Sequence, residues 1–401
     1  MIPCLPNIRV LDLSRVFAGP WAAQMLGDLG ADVVKVEHPA TGDDNRAMGF
    51  ARVDADGRVT GQTSSFIAMN RNKRSVAIDL ADPAGRARLL ALADRADVLI
   101  ENFKVGTMAR RGLDYPALAA RNPRLIYCSI SGFGQDGPYA SRPSYDAVAQ
   151  AMSGLMSITG HAGQGPALTG YSVSDINAGF YAAIAILGAL HHRDTVSGRG
   201  QHIDLSLLDA QVAAQSHVIT NYLISGRIPV QAGSASQINT PWQSFETATG
   251  SVMLTIGNDG QFATLCRILG LAGYAEDPRF ANNRLRFEHR DALLPALEQA
   301  FRTDSAANWL NRLGRAGVPV APINDFRQAL DDPQLRHRAM IRTMPDVDGP
   351  DATGETVPIV ANPIRYSETP ITYRRPPPRL GEHEAAVLAE WLDGAVNGEF
   401  V

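Results

Sequence analysis

The sequence predicts an α/β protein with a Rossmann-like large domain around a parallel sheet and a smaller inserted α+β domain. Three observations predict this fold class. Short apolar strands alternate with amphipathic helices over residues 8–132. Long apolar helices follow a loop rich in Gly, Pro and Ser. From about residue 226 a β-hairpin introduces a region of different character.

The first βαβ unit is the clearest of these patterns. IRVLDLS (8–14) and ADVVKVE (31–37) flank the amphipathic segment 18–30, which has Pro near its first turn and Gly at its end. This order predicts two parallel strands joined by a right-handed crossover. The alternation continues with predicted strands at 75–80, 97–102 and 124–132, and with predicted helices at 83–96, 107–113 and 115–122.

Helical patterns dominate the middle of the chain. Three helical segments are predicted at 144–157, 175–194 and 201–226. SFETATGSVMLTIGN then reads as a hairpin around ATGS. Helices at 261–270, 290–302 and 305–317 and a strand at 318–325 complete this region. We therefore predict a large domain formed by residues 1–225 and 326–401, split by a small domain at 226–325.

Composition excludes several classes of function. Of 401 residues, 37 are Lys or Arg and 41 are Asp or Glu, so the net charge of −4 offers no basic excess for nucleic acid. The three cysteines are far apart, and the nine histidines show no metal-ligand spacing, so no metal is expected. The apolar run 176–190 is too short for a membrane span. We expect a cytoplasmic protein with no membrane partner and reduced thiols.

Asp175 is the first candidate for chemistry, because it opens an apolar helix after a Gly/Pro-rich loop. Its structural interpretation is a helix N-cap or a first-turn acid. Its functional interpretation is a carboxylate nucleophile that attacks thioesters or similar acyl donors. The positive end of the helix would help to keep such a carboxylate ionised.

Two basic clusters lie next to predicted strands. Each is a solvated turn on one interpretation and a phosphate contact on the other. The two together favour a phosphate-bearing ligand, because ligands bind at the carboxyl edge of open α/β sheets. A nicotinamide cofactor is disfavoured, since Gly19 stands without a GxGxxG pattern. The clusters contain Arg71, Lys73 and Arg74, and Asn102, Lys104, Arg110 and Arg111.

Several long motifs resemble the family III CoA-transferases, which include formyl-CoA transferase, carnitine CoA-transferase and the α-methylacyl-CoA racemases. The resemblance covers essentially the whole chain. The motifs are LDLSRVFAGPWAAQMLGDLGADVVKVEHPATGDD, NRNKRSVAIDL, DVLIENFKVG, SISGFGQDGPYASRPSYDAVAQAMSGLMSITG, VSDINAGFYAAIAILGAL, SGRGQHIDLSLLDA, GVPVAPIND and RPPPRLGEHE. The resemblance implies a Rossmann-like large domain, a small domain and an interlocked homodimer.

The resemblance also implies roles for single residues. Asp175, in V-x-D-x-x-A-G, falls on the family's nucleophilic aspartate. TIGNDGQF falls on the glycine loop that shields the acyl-enzyme, with Gly257 and Gly260 in place of a continuous glycine run. His38 replaces an arginine that is common in the family. The positions that the resemblance assigns to CoA contacts are Arg15, Val16, His38, Lys73, Asn102, Arg110 and Tyr145.

One position bears on the reaction type. Racemase members carry a His–Asp pair where this chain has Tyr145 and Asp146. Tyrosine titrates near pH 10, so it is a poor proton shuttle at neutral pH, and CoA transfer is favoured over racemisation. A 2-methylacyl-CoA racemase and, more distantly, a dinucleotide-dependent oxidoreductase remain the alternatives.

The segments QVAAQSHVITNYLISG, GQFATLCRILG and RPPP most resemble the dicarboxylate-type members, such as succinyl-CoA:glutarate CoA-transferase. The resemblance implies succinyl-CoA as donor and a small dicarboxylic acid of the glutarate, itaconate, mesaconate, malate or citramalate type as acceptor. Such a reaction uses CoA thioesters as substrates and needs no permanently bound cofactor.

Overall fold

The computed structural model describes residues 2–54, 56–346 and 356–392. The chain forms two compact units. The first comprises Met1–Leu155, Leu168–Thr220 and Gln334–Val401, and the second comprises Met156–Ala167 and Asn221–Pro333. The second unit includes the whole of the predicted small domain. Residues 393–401 of the predicted large domain lie outside the described residues.

The elements alternate as an α/β chain does. The strands are β1 (Arg9–Asp12), β2 (Asp32–Glu37), β3 (Ala51–Val53), β4 (Val59–Thr63), β5 (Lys73–Ala77), β6 (Val98–Glu101), β7 (Ile126–Ser131), β8 (His202–Ser206), β9 (Trp242–Thr247), β10 (Gly250–Thr255), β11 (Val320–Pro322), β12 (Ile341–Pro345) and β13 (Thr356–Val360). The α-helices are α1 (Ala18–Asp28), α2 (Ser64–Met69), α3 (Pro83–Ala93), α4 (Thr107–Arg110), α5 (Tyr115–Arg121), α6 (Asp146–Met152), α7 (Leu155–Ile158), α8 (Val173–His192), α9 (Leu207–Ala214), α10 (Ser216–Ser225), α11 (Asp259–Ile268), α12 (Ala272–Glu276), α13 (Asn283–Glu288), α14 (Arg290–Phe301), α15 (Ala306–Arg315), α16 (Phe326–Leu330), α17 (Pro333–His337) and α18 (Glu384–Leu392).

A six-stranded sheet organises the first unit, in the order β5-β2-β1-β6-β7-β8. Every neighbouring pair in this sheet is parallel, which confirms the predicted α/β class and the first βαβ unit. The chain moves outward from β1 through β2 to β5 and then returns to β6 on the other side of β1. The order therefore reverses between β1 and β6, where open α/β sheets form a ligand-binding crevice beyond the strand ends.

Side chains that alternate along the central strands build a core on each face of the sheet. Val10 and Ile100 face one core, which contains apolar residues of α1, α8 and α9. Leu11 and Leu99 face the other, which contains residues of α3 and α18. Because both faces are covered, apolar residues occupy the middle of these strands, and the charged residues at their ends, such as Asp12 and Glu101, are also buried.

The structure corrects the sequence prediction at the start of segment 201–226. His202–Ser206 is not helical but forms edge strand β8, parallel to β7. Ile203 and Leu205 pack against the first core, while His202 and Asp204 are exposed. This alternation has a period of two over five residues only, and the longer helical pattern of α9 and α10 obscures it.

Two antiparallel hairpins in the first unit were not predicted, β3 with β4 and β12 with β13. The segment after β13 returns to the end of α1. There Asp28 is buried and accepts hydrogen bonds from Arg71 Nε at 2.9 Å, Asn72 Nδ2 at 2.8 Å and Asn362 Nδ2 at 2.9 Å. The last helix, α18, contributes Val387 and Trp391 to the second core. Residues close to both ends of the chain therefore build one unit.

The second unit has its own core and a three-stranded antiparallel sheet in the order β11-β10-β9. The predicted hairpin is β9 with β10, and the predicted strand at 318–325 contains β11, which pairs antiparallel with β10. Helices α11, α14 and α15 supply Leu265, Leu297 and Trp309 to this core. The structure thus confirms a mixed α/β protein with smaller antiparallel sheets.

One helical stretch in the described part of the chain, Val173–Ser197, is long and apolar enough to span a membrane. Length and composition are weak evidence for such a span, since core helices of other proteins pass the same test. Here Ala178, Ala182 and Ile186 of this stretch are buried in the first core. One face of this helix is therefore part of the core, while Phe180, Tyr181 and Ile184 on the same helix are exposed.

Candidate active site

Two clefts lie at the carboxyl edge of the six-stranded sheet, where the strand order reverses. The first, the Asp175 cleft, has a volume of about 250 Å³. It is lined by the β1–α1 turn, the segments after β6 and β7, the loop before α6 and the start of α8. It brings together five residues predicted for the site: Arg15, Val16, Asn102, Tyr145 and Asp175.

The second cleft, the His38 cleft, has a volume of about 500 Å³. His38, Thr41 and Arg111 line it, and it shares Arg15, Phe103 and Lys104 with the Asp175 cleft. The two clefts therefore adjoin at the ends of β1 and β6. Among the described residues, no carboxylate forms an ion pair with Lys104 or Arg111, so this junction offers unneutralised positive charge.

Asp175 is the third residue of α8, so it is a first-turn acid and not the cap, which is Ser172. Burial, and then the neighbouring carboxylate of Asp146, raise the pKa of Asp175 to about 7. The sequence suggested that the helix N-terminus keeps this group ionised, but desolvation dominates here. In the described structure no cation or hydrogen-bond donor offsets it. The carboxyl group is therefore poised between its two protonation states at neutral pH.

Asp146 holds the start of α8 in place. Its carboxylate accepts hydrogen bonds from the backbone N–H of Ser174 at 2.8 Å and from Gln150 Nε2 at 2.7 Å. The first contact satisfies one of the amides that a helix N-terminus leaves unpaired. Asp146 thus links α6 to the residue that precedes Asp175. Tyr145, in contrast, is 71% exposed and forms the cap position of α6.

Gly179 sets the approach of α8 to α1. A Cβ atom at this position would lie 2.8 Å from the carbonyl oxygen of Ala18 and 2.8 Å from Cδ1 of Trp21. No larger residue fits without moving one of the helices. The glycine of the V-x-D-x-x-A-G motif therefore lets the first turn of α8 lie beside the start of α1, where Phe17 and Ala18 also line the Asp175 cleft.

The β1–α1 turn has a strained backbone. Val16 adopts φ = 70°, which a β-branched residue rarely does. The side-chain amide of Asn102 holds the backbone of Arg15, the residue before Val16. Its Oδ1 accepts from Arg15 N at 2.9 Å, and its Nδ2 donates to Arg15 O at 2.8 Å. Asp43 accepts from Val16 N at 3.0 Å, and Asn45 Nδ2 donates to Val16 O. The surroundings thus fix this turn at the mouth of the cleft.

Lys73 lies outside both clefts, contrary to its prediction as a CoA contact. Its ammonium group is buried and donates to Asp12 Oδ2 at 2.8 Å, Asn70 Oδ1 at 2.9 Å and Pro20 O at 2.9 Å. All three of its protons are therefore used inside the protein. Burial lowers the pKa of Lys73 to about 8. The sequence analysis placed Lys73 just before a strand, but Lys73 is the first residue of β5, and its side chain points into the interior.

Arg110 is exposed, donates to Thr107 Oγ1 at 3.0 Å and lies outside both clefts, whereas its neighbour Arg111 lines the His38 cleft. His38 is exposed and lines that cleft, with its Nδ1 3.2 Å from Ala40 N. One further cation, Arg142, lines the Asp175 cleft and was not predicted. Arg142 lies in a Gly/Pro/Ser-rich loop without periodicity, so no pattern identified it.

Gly257 and Gly260 lie in the second unit, at the start of α11. Asn258 caps this helix by accepting from Gln261 N at 2.9 Å, and Gly257 N donates to Gln261 Oε1 at 2.9 Å. The side-chain contacts hold this loop locally. In the part of the chain that the structure describes, no group of three His, Cys, Asp or Glu side chains could hold a metal ion.

Comparisons with known proteins place this sequence and fold in a family. The sequence model of "CoA-transferase family III" matches residues 5–384. A succinate–glutarate CoA-transferase of Agrobacterium fabrum is 45% identical over 388 residues, 97% of this chain and 96% of the relative. The human succinyl-CoA:glutarate CoA-transferase is 38% identical over 399 residues, 99% of this chain and 88% of the relative.

A solved structure agrees with these sequence relatives. The crystal structure of a CAIB/BAIF family protein from Brucella suis is 41% identical, with a TM-score of 0.82, and the match covers 96% of this chain and 98% of that one. The similarity in sequence and fold thus extends over almost the whole chain. The protein belongs to CoA-transferase family III.

Proposed function

We propose that this protein moves CoA from succinyl-CoA to a small dicarboxylic acid, with glutarate the first acceptor to test, and that Asp175 is the nucleophile. Two relatives named for succinate or succinyl-CoA and glutarate support the choice of substrates. The observation that carries the proposal is the Asp175 carboxyl group. It is largely buried without a neutralising partner in a cleft that adjoins a larger one, where Lys104 and Arg111 form no ion pair with a described carboxylate.

The two clefts divide the donor between them in this proposal. The nucleotide part of CoA occupies the His38 cleft, where His38, Lys104 and Arg111 face its phosphates. Arg15 lies at the junction and contacts the pantetheine arm, while Asn102, which lines the Asp175 cleft only, holds the backbone of Arg15. The thioester then reaches the Asp175 cleft. Arg110 and Lys73 are not among the proposed contacts, because their side chains lie elsewhere.

The proposed chemistry exchanges one activated acyl bond for another. A carboxylate oxygen of Asp175 attacks the thioester carbonyl, the C–S bond breaks, and CoA leaves as a thiolate. The thiolate attacks Cγ of Asp175 in the mixed anhydride, which releases succinate and leaves an aspartyl-CoA thioester. The acceptor carboxylate attacks the same carbon and displaces the thiolate. The thiolate attacks the acceptor's carbonyl and frees Asp175, so electrons and protons balance without a redox partner.

Two features of the site support this sequence of steps. The raised pKa of Asp175, about 7, reflects weak solvation of its ionised form, and a poorly solvated carboxylate is the stronger nucleophile. The start of α1, with Phe17 and Ala18 on the cleft wall, presents the positive end of a helix to the oxyanion that forms.

The racemase alternative receives no support from the geometry. A racemase needs a proton shuttle, but Asp146 is committed to the backbone of α8 and to Gln150. Incubation of the protein with a 2-methylacyl-CoA in deuterated water, without an acceptor acid, tests this alternative. We expect no exchange of the α-proton, and rapid exchange would favour the racemase.

The decisive experiment replaces Asp175 by Asn and by Ala and measures CoA transfer from succinyl-CoA to glutarate. We expect both variants to lose at least about 1,000-fold in kcat, because no other group in the proposal forms the anhydride. Asp209→Asn is the matched control, since Asp209 is also a first-turn acid but is exposed on α9. Near wild-type transfer by both Asp175 variants would exclude the nucleophile assignment.

We also propose that the protein is a cytoplasmic homodimer. The second unit exposes large apolar side chains on a short stretch, with Leu223 73%, Ile224 82% and Ile228 77% exposed. Contiguous apolar surface of this kind is typical of protein–protein interfaces. Light scattering of the purified protein tests the proposal, and a monomeric mass at micromolar concentration would contradict it.

A further inference from the structure

The Asp175 cleft contains three cations, and two of them already have a partner or a place in the proposed function. Arg15 forms an ion pair with Asp44, with 3.3 Å between Nη1 and Oδ2. Lys104 lines both clefts, so it lies at the junction where the phosphates of CoA would be. Arg142 lines the Asp175 cleft but not the His38 cleft. Its charge therefore faces the reaction space and not the nucleotide.

Two aromatic rings hold the guanidinium of Arg142. It lies 4.5 Å from the ring centroid of Tyr139 and 5.8 Å from that of Phe133. These two rings pack edge to face with 5.7 Å between their centroids. Stacking on aromatic faces orients a guanidinium and leaves its N–H edges free for an anion. In the described part of the chain no carboxylate forms an ion pair with Arg142.

The loop that carries Arg142 is anchored at its start. Ser131 Oγ accepts from Gly134 N at 2.9 Å, and Asp204 of β8 accepts from Gln135 N at 3.0 Å. Within the loop, Arg142 N donates to Tyr139 O at 2.9 Å. The loop leads directly into Tyr145 and Asp146, and Asp146 is bonded to α8. These contacts anchor the backbone of the loop on both sides of Arg142, next to β8 and to the first turn of α8.

Arg142 does not neutralise Asp175. The raised pKa of Asp175 arises from burial and from Asp146, and no cation lowers it. The Arg142 side chain is exposed at the mouth of the same cleft, so its guanidinium is accessible to a bound anion other than Asp175. The donor and the acceptor of the proposed reaction both carry a second carboxylate, which takes no part in the chemistry and must be bound at a distance from Asp175.

We infer that Arg142 binds the distal carboxylate of both substrates and thereby makes the enzyme selective for dicarboxylic acids. This inference rests on the proposed function. The guanidinium fork donates two parallel N–H bonds to the distal carboxylate, while the other carboxylate is presented to Asp175. A monocarboxylic acid leaves the fork unpaired and loses this orientation.

The test compares two acceptors with the same donor. Initial rates with succinyl-CoA are measured for glutarate and for monomethyl glutarate, which keeps one reactive carboxylate and loses the distal charge. Wild-type protein should prefer glutarate by about 100-fold in kcat/KM. With the succinyl-CoA concentration held constant, Arg142→Gln should lower kcat/KM for glutarate about 30- to 100-fold. The same substitution should lower kcat/KM for monomethyl glutarate less than about threefold. The preference ratio then approaches one.

Arg142→Lys and Tyr139→Leu are two further variants. Each should reduce the preference for glutarate over monomethyl glutarate by about 3- to 10-fold. The lysine variant lacks the planar guanidinium, and the leucine variant lacks the ring on which the guanidinium stacks. Arg111→Gln, in the His38 cleft, should raise the KM for succinyl-CoA and leave the ratio unchanged. Circular dichroism and CoA binding show that each variant is folded.

The two ways in which this test can fail are distinguishable. If wild-type protein transfers CoA to neither acceptor, the proposed function is wrong and the inference falls with it. Suppose that the wild-type protein prefers glutarate to monomethyl glutarate, and that Arg142→Gln and Arg142→Lys keep this preference. Arg142 then does not bind the distal carboxylate, while the proposed function stands. A wild-type ratio near one would also overturn the inference.

Discussion

At the scale of single residues, Asp175 meets two conflicting demands. A nucleophilic carboxylate must be ionised, but its burial favours the protonated form and raises its pKa to about 7. Between about pH 4 and 7 the folded protein therefore keeps a proton that the unfolded chain, with an aspartate pKa of 3.8, has already released. As the pH rises through this range, the contribution of Asp175 to stability falls, while the fraction of the ionised, nucleophilic form rises.

Asp175→Asn should make the protein more stable at pH 8 than the wild type by about 1–3 kcal/mol, because the ionised carboxylate is no longer buried. At pH 4 wild-type Asp175 is protonated in the folded state and resembles the amide, so the two proteins should unfold alike. Urea unfolding at both pH values measures the difference. An equal effect at pH 4 and pH 8 would contradict the raised pKa.

Asp146→Asn should shift the pH dependence of kcat/KM for succinyl-CoA. In the wild type we expect kcat/KM to rise with pH through about 7, as Asp175 loses its proton. Removal of the Asp146 charge lowers the pKa of Asp175, so the rise should move to lower pH. The amide Oδ1 can still accept from Ser174 N, which preserves the start of α8. An unchanged profile would show that the two carboxyl groups do not interact.

The sequence predicted single residues unevenly. Asp175 was recognisable from its motif, and five of the predicted residues line one cleft. Lys73 was misread, because closeness to a strand does not reveal whether a long side chain points into a cleft or into the core. Arg142 could not be predicted, since its position depends on two aromatic rings that an irregular loop brings together.

At the scale of elements, the approach of α8 to α1 builds the Asp175 cleft. Gly179→Ala should destabilise the protein by about 1–3 kcal/mol and lower kcat/KM by at least about tenfold, because the new methyl group displaces the first turns of these helices. Thermal unfolding and transfer assays measure both effects.

Gly188→Ala provides the matched control on the same helix. A Cβ atom at Gly188 would meet no heavy atom within 4 Å, so this substitution should stabilise α8 by about 0.5–1 kcal/mol and leave activity unchanged. Equal behaviour of the two variants would show that the Gly179 contact does not position the site.

Elements of the parallel sheet were predictable where apolar runs were long and bounded by turn residues, as in 8–14 and 31–37. Strand β8 was missed because it has five residues and continues directly into α9. The strands of the two hairpins, β3 with β4 and β12 with β13, were also missed: each has three to five residues and pairs with a single partner in a two-stranded sheet.

At the scale of the whole molecule, buried polar contacts join distant parts of the chain. Asp28→Ala should destabilise the first unit by about 3–5 kcal/mol, because Arg71 remains buried without its charge partner and Asn362 loses its acceptor. Glu288→Ala, which removes an exposed ion pair with Arg284, should leave the unfolding midpoint almost unchanged. Similar midpoints for both variants would contradict the importance of the Asp28 cluster.

The return of the last helix to the first strands has a consequence for biosynthesis. β1 leaves the ribosome early, but Val387 and Trp391, which complete one face of its sheet, are made almost a whole chain length later. At 5–20 residues per second this delay is roughly 20–80 s. During this delay the core on one face of the newly made sheet stays incomplete. The second unit ends at Pro333, so it can fold while translation continues.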